Sequence, residues 1–259
     1  MEPVTCLVLV AFLGGAIGSF LNVVIYRLPR RESLSFPPSH CPSCNEPIRY
    51  YDNIPIVSYL ILRGACRSCR ARISPGYPLV EAITATFAVI LFLQHGLSVP
   101  SLADFVLACI LIAAMVIDYR FMIIPDRLNA SGLALGIGFA LLAGSSGLIR
   151  SIAGGAAGVS AMMLLYWFGK LLYHREGLGF GDVKLAGVMG VFLGPFWCAI
   201  ACVIAIVLGG LWGIAQLLRR RATTGQEVPF GPFLSLGGFF VLFFKPELLY
   251  LIERYLALW

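Results

Sequence analysis

Long apolar runs separated by short polar breaks dominate the pattern of this chain. A helix needs about 20 apolar residues to cross a bilayer, because each residue rises about 1.5 Å across a hydrocarbon core about 30 Å thick. By this measure the predicted spans are residues 4–26, 79–97, 102–117, 128–143, 149–173, 183–193, 197–218 and 233–251. The sixth run is short and ends near Gly194-Pro195, which predicts a tilted or partly re-entrant segment. The pattern predicts an all-α polytopic membrane protein with about eight transmembrane helices.

The composition supports a membrane protein. Of the 259 residues, 59% are hydrophobic and only 12% are charged, and the mean hydropathy is +0.88. A soluble domain would have roughly a quarter of its residues charged. The first run follows Glu2 with no positive charge before it, and no small-residue cleavage site comes after it. We therefore expect a retained helix here and not a cleavable signal peptide.

The basic residues predict the orientation in the membrane. Arg27, Arg30 and Arg31 follow the first run, which places the N-terminus outside and the next loop in the cytoplasm. Eight spans then put the C-terminus outside as well, and 16 of the 19 Lys and Arg residues fall in segments predicted to be cytoplasmic. The net charge of +6 is thus explained by topology, and no aromatic-basic groove pattern is present. We expect a lipid bilayer and no nucleic acid as partner.

The predicted cytoplasmic loop, residues 28–78, contains two Cys-x-x-Cys pairs separated by 21 residues. Four thiolates satisfy a tetrahedral zinc ion, and a loop this small cannot build a stable core unaided. The candidate ligands are Cys41, Cys44, Cys66 and Cys69. The sequence predicts a first transmembrane helix (1–27), a cytoplasmic zinc-binding domain (28–78) and a membrane-embedded domain of seven helices (79–259).

Two other interpretations of the four cysteines stay open, namely a redox dithiol and a pair of disulfides. A reducing cytoplasm disfavours structural disulfides, and four thiolates leave no coordination position open for catalysis, so structural zinc is favoured. The remaining cysteines lie in apolar runs, where buried inert thiols are the usual state: Cys6, Cys109, Cys198 and Cys202.

Two aspartates at the ends of predicted spans are candidate catalytic groups. Asp118 ends the third span and Asp182 begins the sixth, both on the predicted cytoplasmic side. Two neighbouring carboxyl groups share a proton, so one can activate water while the other donates to a peptide carbonyl. Gly179 and Gly181 would leave the backbone before Asp182 open to an extended substrate. The alternative is that both acids only mark the membrane–water boundary.

Other catalytic chemistries lack their motifs. The three histidines, His40, His95 and His174, are widely separated, and no nucleophile elbow or phosphate-binding loop is present. Asp126 is a rival acid, but Pro125 before it predicts that it caps or turns the start of the fourth helix.

The helix directions predict an unequal pair of aspartates. Asp118 lies at a helix C-terminus and Asp182 at a helix N-terminus. The helix dipoles therefore favour the ionised form of Asp182 and disfavour that of Asp118, by roughly 0.3–2 kcal/mol at each residue. Lys184 acts in the same direction if its side chain points inward, whereas Arg120 would oppose it. We therefore predict that Asp182 holds more of the charge that the coupled pair shares in the substrate-free protein.

Collinear motifs along the whole chain resemble the bacterial type IV prepilin peptidases. They are residues 18–29 (GSFLNVVIYRLP), the two cysteine pairs, 52–58 (DNIPIVS), 77–81 (YPLVE), Asp118 with 124–126 (IPD), 179–185 (GFGDVKL) and 229–232 (PFGP). The resemblance implies a bifunctional inner-membrane enzyme. Such enzymes remove the leader of type IV prepilins and pseudopilins at the cytoplasmic face, and then methylate the new N-terminal residue, usually Phe, with S-adenosylmethionine.

The resemblance also implies roles for individual residues. The paired catalytic aspartates correspond to Asp118 and Asp182, and the zinc ligands to the four loop cysteines. The motif around the second aspartate adds Gly179, Gly181 and Lys184, and by position the candidates for methyl transfer are Asn22, Gly64 and Glu81. Two alternatives remain: a membrane aspartic protease of other substrates without methyltransferase activity, and a non-enzymatic component of the pilus or secretion machinery.

Overall fold

The computed structural model of the protein describes residues 3–173, 179–219 and 228–256, and these ranges contain α-helices and no β-strand. The helices are α1 (Pro3–Arg27), α2 (Val57–Ile61), α3 (Gly76–His95), α4 (Val99–Phe121), α5 (Asp126–Leu142), α6 (Gly144–Tyr173), α7 (Phe180–Leu193), α8 (Pro195–Leu218) and α9 (Gly231–Leu256). Two compact units are present, Met1–Phe105 and Val106–Trp259, and α4 runs from the first into the second. The all-α prediction is confirmed.

Six of the helices within the described ranges are long and apolar enough to cross a membrane: α1, α3, α4, α6, α8 and α9. Each of the eight predicted spans overlaps a helix, but α5 has 17 residues and α7 only 14. At about 1.5 Å per residue, α7 is about 21 Å long, shorter than a hydrocarbon core of about 30 Å. His174 and the basic residues Arg175, Arg220 and Arg221 lie outside the described residues.

In the first unit, glycines allow α1 to pack closely against α3. A Cβ atom added at Gly14 would lie 2.8 Å from Cβ of Ala88, and one added at Gly18 would lie 2.7 Å from Cα of Glu81. No larger residue fits at this crossing, as expected for small residues spaced four apart. The close approach brings Asn22 of α1 within hydrogen-bonding distance of α3, where its Nδ2 donates to the Tyr77 carbonyl oxygen at 3.0 Å.

In the second unit, α7 is a buried helix that contacts α5, α6, α8 and α9. Ten of its 14 residues are buried. Close approach to α6 again depends on glycine, because a Cβ at Gly154 would lie 2.0 Å from the Gly190 carbonyl oxygen and one at Gly158 2.2 Å from that of Ala186. Since protein surrounds α7, it does not need the length of a lipid-facing span. Its packing fixes the position of Asp182 in its first turn.

Candidate functional site

The two predicted catalytic aspartates come from different helices of the second unit. Asp118 lies in the last turn of α4, and Asp182 lies in the first turn of α7. Both side chains are buried, with exposed fractions of 5% and 6%. Both acids belong to the same compact unit. The fold therefore brings together two acids that are far apart in the sequence.

Asp118 is held by the start of α9. The backbone amide of Gly231, the first residue of that helix, donates a 2.9 Å hydrogen bond to Oδ2 of Asp118. The first amides of a helix have no partner within the helix, so the carboxylate satisfies a donor that would otherwise be unpaired. A Cβ at Gly231 would lie 2.7 Å from the same oxygen. Sequence reasoning noted this glycine within the Pro-Phe-Gly-Pro motif but assigned it no role.

The glycines before Asp182 are explained by lack of space. Gly179 has φ −71° and ψ 140°, an ordinary extended conformation, and a Cβ there would lie 3.1 Å from Oδ2 of Asp182. A Cβ at Gly181 would lie 3.1 Å from Cβ of Ile124 and 3.4 Å from its carbonyl oxygen. The predicted open backbone at Gly181 is thus filled by Ile124, which joins the segment before α5 to the first turn of α7.

Lys184 pairs with Asp126 and not with the buried aspartates. Its Nζ lies 2.6 Å from Oδ1 of Asp126, and the two side chains are 39% and 76% exposed. Asp126 lies at the start of α5, as its sequence context predicted, but the N-cap is Pro125 and no side chain caps the helix. The inward-pointing Lys184 considered in the charge argument is therefore not present. Gly231 also donates to Asp118, which opposes the helix-dipole effect, so a larger share of charge on Asp182 stays a prediction.

Asn129, in the first turns of α5, is a further buried polar residue near the turn of Asp182, and sequence reasoning missed it. Its side chain is 5% exposed, and its Nδ2 lies 3.5 Å from the carbonyl oxygen of Gly181. Oδ1 of Asn129 and Oδ1 of Asp182 are buried without a hydrogen-bond partner among the described residues. The only sequence signal was its position three residues after Asp126.

The four loop cysteines converge in the first unit. Their Sγ atoms all lie within 4.8 Å of one another, and the Sγ atoms of Cys41 and Cys69 are 3.8 Å apart. Tetrahedral zinc with bonds of about 2.3 Å requires sulfur atoms about 3.8 Å apart, so this donor set fits a metal ion. All four are free thiols here, as are Cys6, Cys109, Cys198 and Cys202, the last three of them buried.

The two cysteine pairs have the same backbone conformation. The amide of Asn45 donates to the Cys41 carbonyl at 2.8 Å, and the amide of Arg70 donates to the Cys66 carbonyl at 3.1 Å. Asn45 and Arg70 also share a left-handed conformation, with φ of 57° and 59°. Asparagine adopts this region readily, whereas arginine rarely does. The equivalent turns aim both pairs of thiols at one point.

Arg67, which lies between Cys66 and Cys69, connects the second pair to the short 3₁₀ helix Tyr50–Asn53. Its Nε and Nη2 donate to the two carboxylate oxygens of Asp52 at 2.8 and 2.6 Å. These hydrogen bonds lower the pKa of Asp52 below its usual value. A bidentate pair of this kind restricts the orientation of both groups. The thiol cluster and the 3₁₀ helix are thus held together.

A cavity of about 810 Å³ lies within the first unit, between α1, the cysteine-containing loop and the start of α3. Asn22 and Glu81, two of the three residues predicted for methyl transfer, line it. Gly64 does not line it: this residue has φ of 65° and a Cβ there would lie 2.9 Å from the hydroxyl of Tyr59. Arg27 also lines the cavity and is 7% exposed.

Glu81 holds a strained turn in the cavity wall. Its Oε2 accepts a 2.7 Å hydrogen bond from the amide of Ile56. Ile56 has φ 62° and ψ −48°, and the amide of Val57 donates to the Pro55 carbonyl at 2.5 Å, which makes a γ-turn. A positive φ is rare for a β-branched residue and this γ-turn is a strained one. The carboxylate of Glu81 therefore stabilises an unfavourable backbone conformation.

Comparison with known proteins gives consistent matches along the chain. Residues 12–95 match the model of the bacterial peptidase A24 N-terminal domain, and residues 105–214 match that of the type IV leader peptidase family. A prepilin leader peptidase/N-methyltransferase of Aeromonas hydrophila is 38% identical over 250 residues, covering 87% of this chain and 86% of its own. Two proteins with the same description are also similar. The one from Pseudomonas putida is 33% identical, covering 96% of this chain and 94% of its own, and the one from Neisseria gonorrhoeae is 36% identical, covering 90% of this chain and 88% of its own. No solved structure matches the chain.

Proposed function

The chain belongs to the type IV leader peptidase family, and we propose that it cleaves the leader from type IV prepilins and pseudopilins and then methylates the new N-terminal residue. The observation that supports the peptidase activity is the pair of buried carboxylates, Asp118 and Asp182, in the second unit. Burying two ionised carboxylates side by side costs free energy, and the cost falls when the two share a proton. Such a pair suits general acid–base catalysis on a peptide bond.

The proposed cleavage uses both aspartates. The ionised carboxylate accepts a proton from the water that attacks the scissile carbonyl carbon, and the protonated one donates to the carbonyl oxygen. As the tetrahedral intermediate collapses, the leaving amine takes up the proton acquired from water, and a hydroxyl of the intermediate returns a proton to the other aspartate. The amide of Gly231 fixes Asp118 throughout. The packing of Gly181 against Ile124 fixes the turn that presents Asp182.

The proposed topology has eight transmembrane helices in a bacterial inner membrane, with both termini outside. The short helix α7 is then a span that packs mainly against protein, whereas α5 has one face packed against protein and most of its residues exposed. The distribution of basic residues supports placing the aspartates and the loop 28–78 at the cytoplasmic face. This division keeps 28–78 as a zinc-binding domain between a first helix (1–27) and a membrane-embedded protease domain (79–259).

We propose that the four loop cysteines bind a structural zinc ion. Their spacing and mutual distances fit a tetrahedral site, with Cys41, Cys44, Cys66 and Cys69 as ligands. Four thiolates leave no position for substrate, so the ion would crosslink the loop and take no part in chemistry. Arg67 lies within this site and would offset part of the negative charge of the thiolates.

We propose that the cavity of the first unit binds S-adenosylmethionine. Its volume is within the range of small-molecule sites, about 300–1,000 Å³. Glu81 offers negative charge to the cationic groups of this donor, and Arg27 offers positive charge to its carboxylate, whereas Asp52 is already paired with Arg67. When bound, the donor supplies an electrophilic methyl group. Asn22 then holds the start of α3 in the cavity wall through its hydrogen bond to the Tyr77 carbonyl oxygen. Gly64 acts indirectly by allowing the turn against Tyr59.

The test is to incubate the purified full-length protein with a prepilin and the methyl donor, and to weigh the products by mass spectrometry. We expect loss of the leader and addition of the mass of one methyl group to the mature chain. Cleavage without methyl addition would leave only the peptidase. No cleavage of any prepilin or pseudopilin, with cleavage of another membrane protein, would favour the alternative protease. No cleavage of either prepilins and pseudopilins or other membrane proteins would favour a non-enzymatic role.

A further inference from the structure

The amide of Asn129 is buried against the turn that presents Asp182. Nδ2 of Asn129 faces the carbonyl oxygen of Gly181 at 3.5 Å. If the amide were reversed, two oxygen atoms would face each other, so the contact with Gly181 fixes the orientation. Oδ1 of Asn129 then points away from Gly181 as an acceptor, and it has no hydrogen-bond partner among the described residues.

A second acceptor without a partner belongs to the residue that follows Gly181. Oδ1 of Asp182 is also buried and has no hydrogen-bond partner in the described part of the chain. Asn129 contacts the carbonyl of the residue that directly precedes Asp182, so both unpaired oxygens belong to one small region. Buried polar atoms are nearly always paired, and exceptions often indicate a catalytic role or a missing ligand. Within the described residues these two acceptors have no donor, which leaves them available to a substrate or to water.

We propose that Asn129 is a substrate-positioning residue: its Oδ1 accepts a hydrogen bond from a main-chain N–H of the substrate near the scissile bond. This inference rests on the proposed peptidase function. An extended peptide presents N–H groups along its backbone, and enzymes often bind them at the edge of a β-sheet. The described ranges contain no strand that offers such an edge, and the unpaired Oδ1 of Asn129 is an acceptor that can take this role. The attacking water is then the donor to Oδ1 of Asp182.

The experiment is an ester scan of a prepilin peptide. Single amide N–H groups on either side of the scissile bond are replaced by ester oxygen, which removes one donor at a time and leaves the scissile amide intact. At the contacting position, we expect kcat/KM of the wild-type protein to fall about 3- to 10-fold, the loss of one hydrogen bond. In Asn129→Leu, which has no acceptor, the same ester should cause no additional loss.

The comparison of the two proteins decides the outcome. An equal ester penalty in the wild type and in Asn129→Leu at every position, or no penalty at any position, would overturn the role of Asn129. If the wild type does not cleave the all-amide prepilin, it is the proposed function that fails. Asn129→Ala replaces Asn129→Leu if thermal melting shows that the latter is unfolded.

Ser131→Ala is the matched control on the same helix. Ser131 is exposed, and its hydroxyl donates only to the carbonyl of Leu128 within α5, at 2.9 Å. We expect this variant to retain wild-type kcat/KM and the full ester penalty. A purely structural role of Asn129 would lower activity equally on amide and ester substrates, so the ester penalty separates positioning from folding.

Discussion

The amide of Gly231 donates a 2.9 Å hydrogen bond to the carboxylate of Asp118, although the two residues are 113 positions apart in the sequence. The contact joins the first residue of α9 to the last turn of α4. It gives the Pro-Phe-Gly-Pro segment a specific task, because only glycine fits where a Cβ would come within 2.7 Å of the carboxylate. The position of one proposed catalytic acid thus depends on a helix that contains neither aspartate.

Gly231→Ala should strongly impair leader cleavage. The added methyl group overlaps with Oδ2 of Asp118 and must displace it, and a shift of about 1 Å in a catalytic group can reduce the rate about 100-fold. The measurement is kcat for leader cleavage on a prepilin. Gly210→Ala in α8 is the control, since no atom lies within 4 Å of the added Cβ. Equal activity of the two variants would contradict the anchoring role.

Asp118→Asn and Asp182→Asn should each reduce leader cleavage by about 10²–10⁴-fold, because an amide cannot exchange protons with water or with the scissile carbonyl. Cleavage is followed by mass spectrometry, and methylation is followed separately on a synthetic peptide that begins at the mature N-terminus. Methylation should persist. Asp126→Asn is the control, since Asp126 is exposed and pairs with Lys184. Cleavage that survives either of the first two changes would remove the catalytic assignment.

Cys44→Ser should release the metal and destabilise the loop 28–78. The purified wild-type protein is expected to contain one zinc ion per chain, measured by elemental mass spectrometry. A variant with three thiols should lose it, because structural zinc sites need all four ligands. Cys6→Ser, in α1, should keep the zinc. A metal-free wild type in which thiol titration finds disulfides would instead support the oxidised alternative.

Glu81→Ala should impair methyl transfer more than Glu81→Gln. Glutamine keeps an acceptor for the Ile56 amide and preserves the strained turn, whereas alanine removes both the acceptor and the charge. If the charge contacts the methyl donor, Glu81→Gln should still raise the KM for S-adenosylmethionine about tenfold, the value of a charge-assisted hydrogen bond. Leader cleavage should be unchanged in both variants.

Thr86→Ala provides the reference for these two changes. Its hydroxyl is exposed and bonds to the Ala82 carbonyl within the same helix, at 2.8 Å. Methyl transfer should be unaffected in this variant. Wild-type KM for the methyl donor in Glu81→Ala would show that the cavity of the first unit binds something else.

The positions predicted from local patterns agree best with the structure. Asp126 begins α5, the eight apolar runs all overlap helices, and the four loop cysteines converge, because each depends on nearby sequence or on a fixed spacing. Roles that depend on which neighbours a residue meets in the fold were harder to predict. Lys184 pairs with Asp126 and not with the aspartate pair, and Gly64 lies in a turn against Tyr59, outside the cavity lining. Neither placement follows from a motif.

Hydrophobic length, cysteine spacing and rare charged residues are local properties, so they were enough to predict an all-helical membrane protein, the four-thiol cluster and the two candidate aspartates. The residues around these groups depend on how the helices pack. Asn129 and Gly231 reach the aspartate site because α5 and α9 pack against α7, and that packing depends on complementary surfaces distant in sequence. The same reason applies to the hydrogen bond between the Ile56 amide and Glu81. This contact between residues distant in sequence stabilises a backbone conformation that is unfavourable for Ile56.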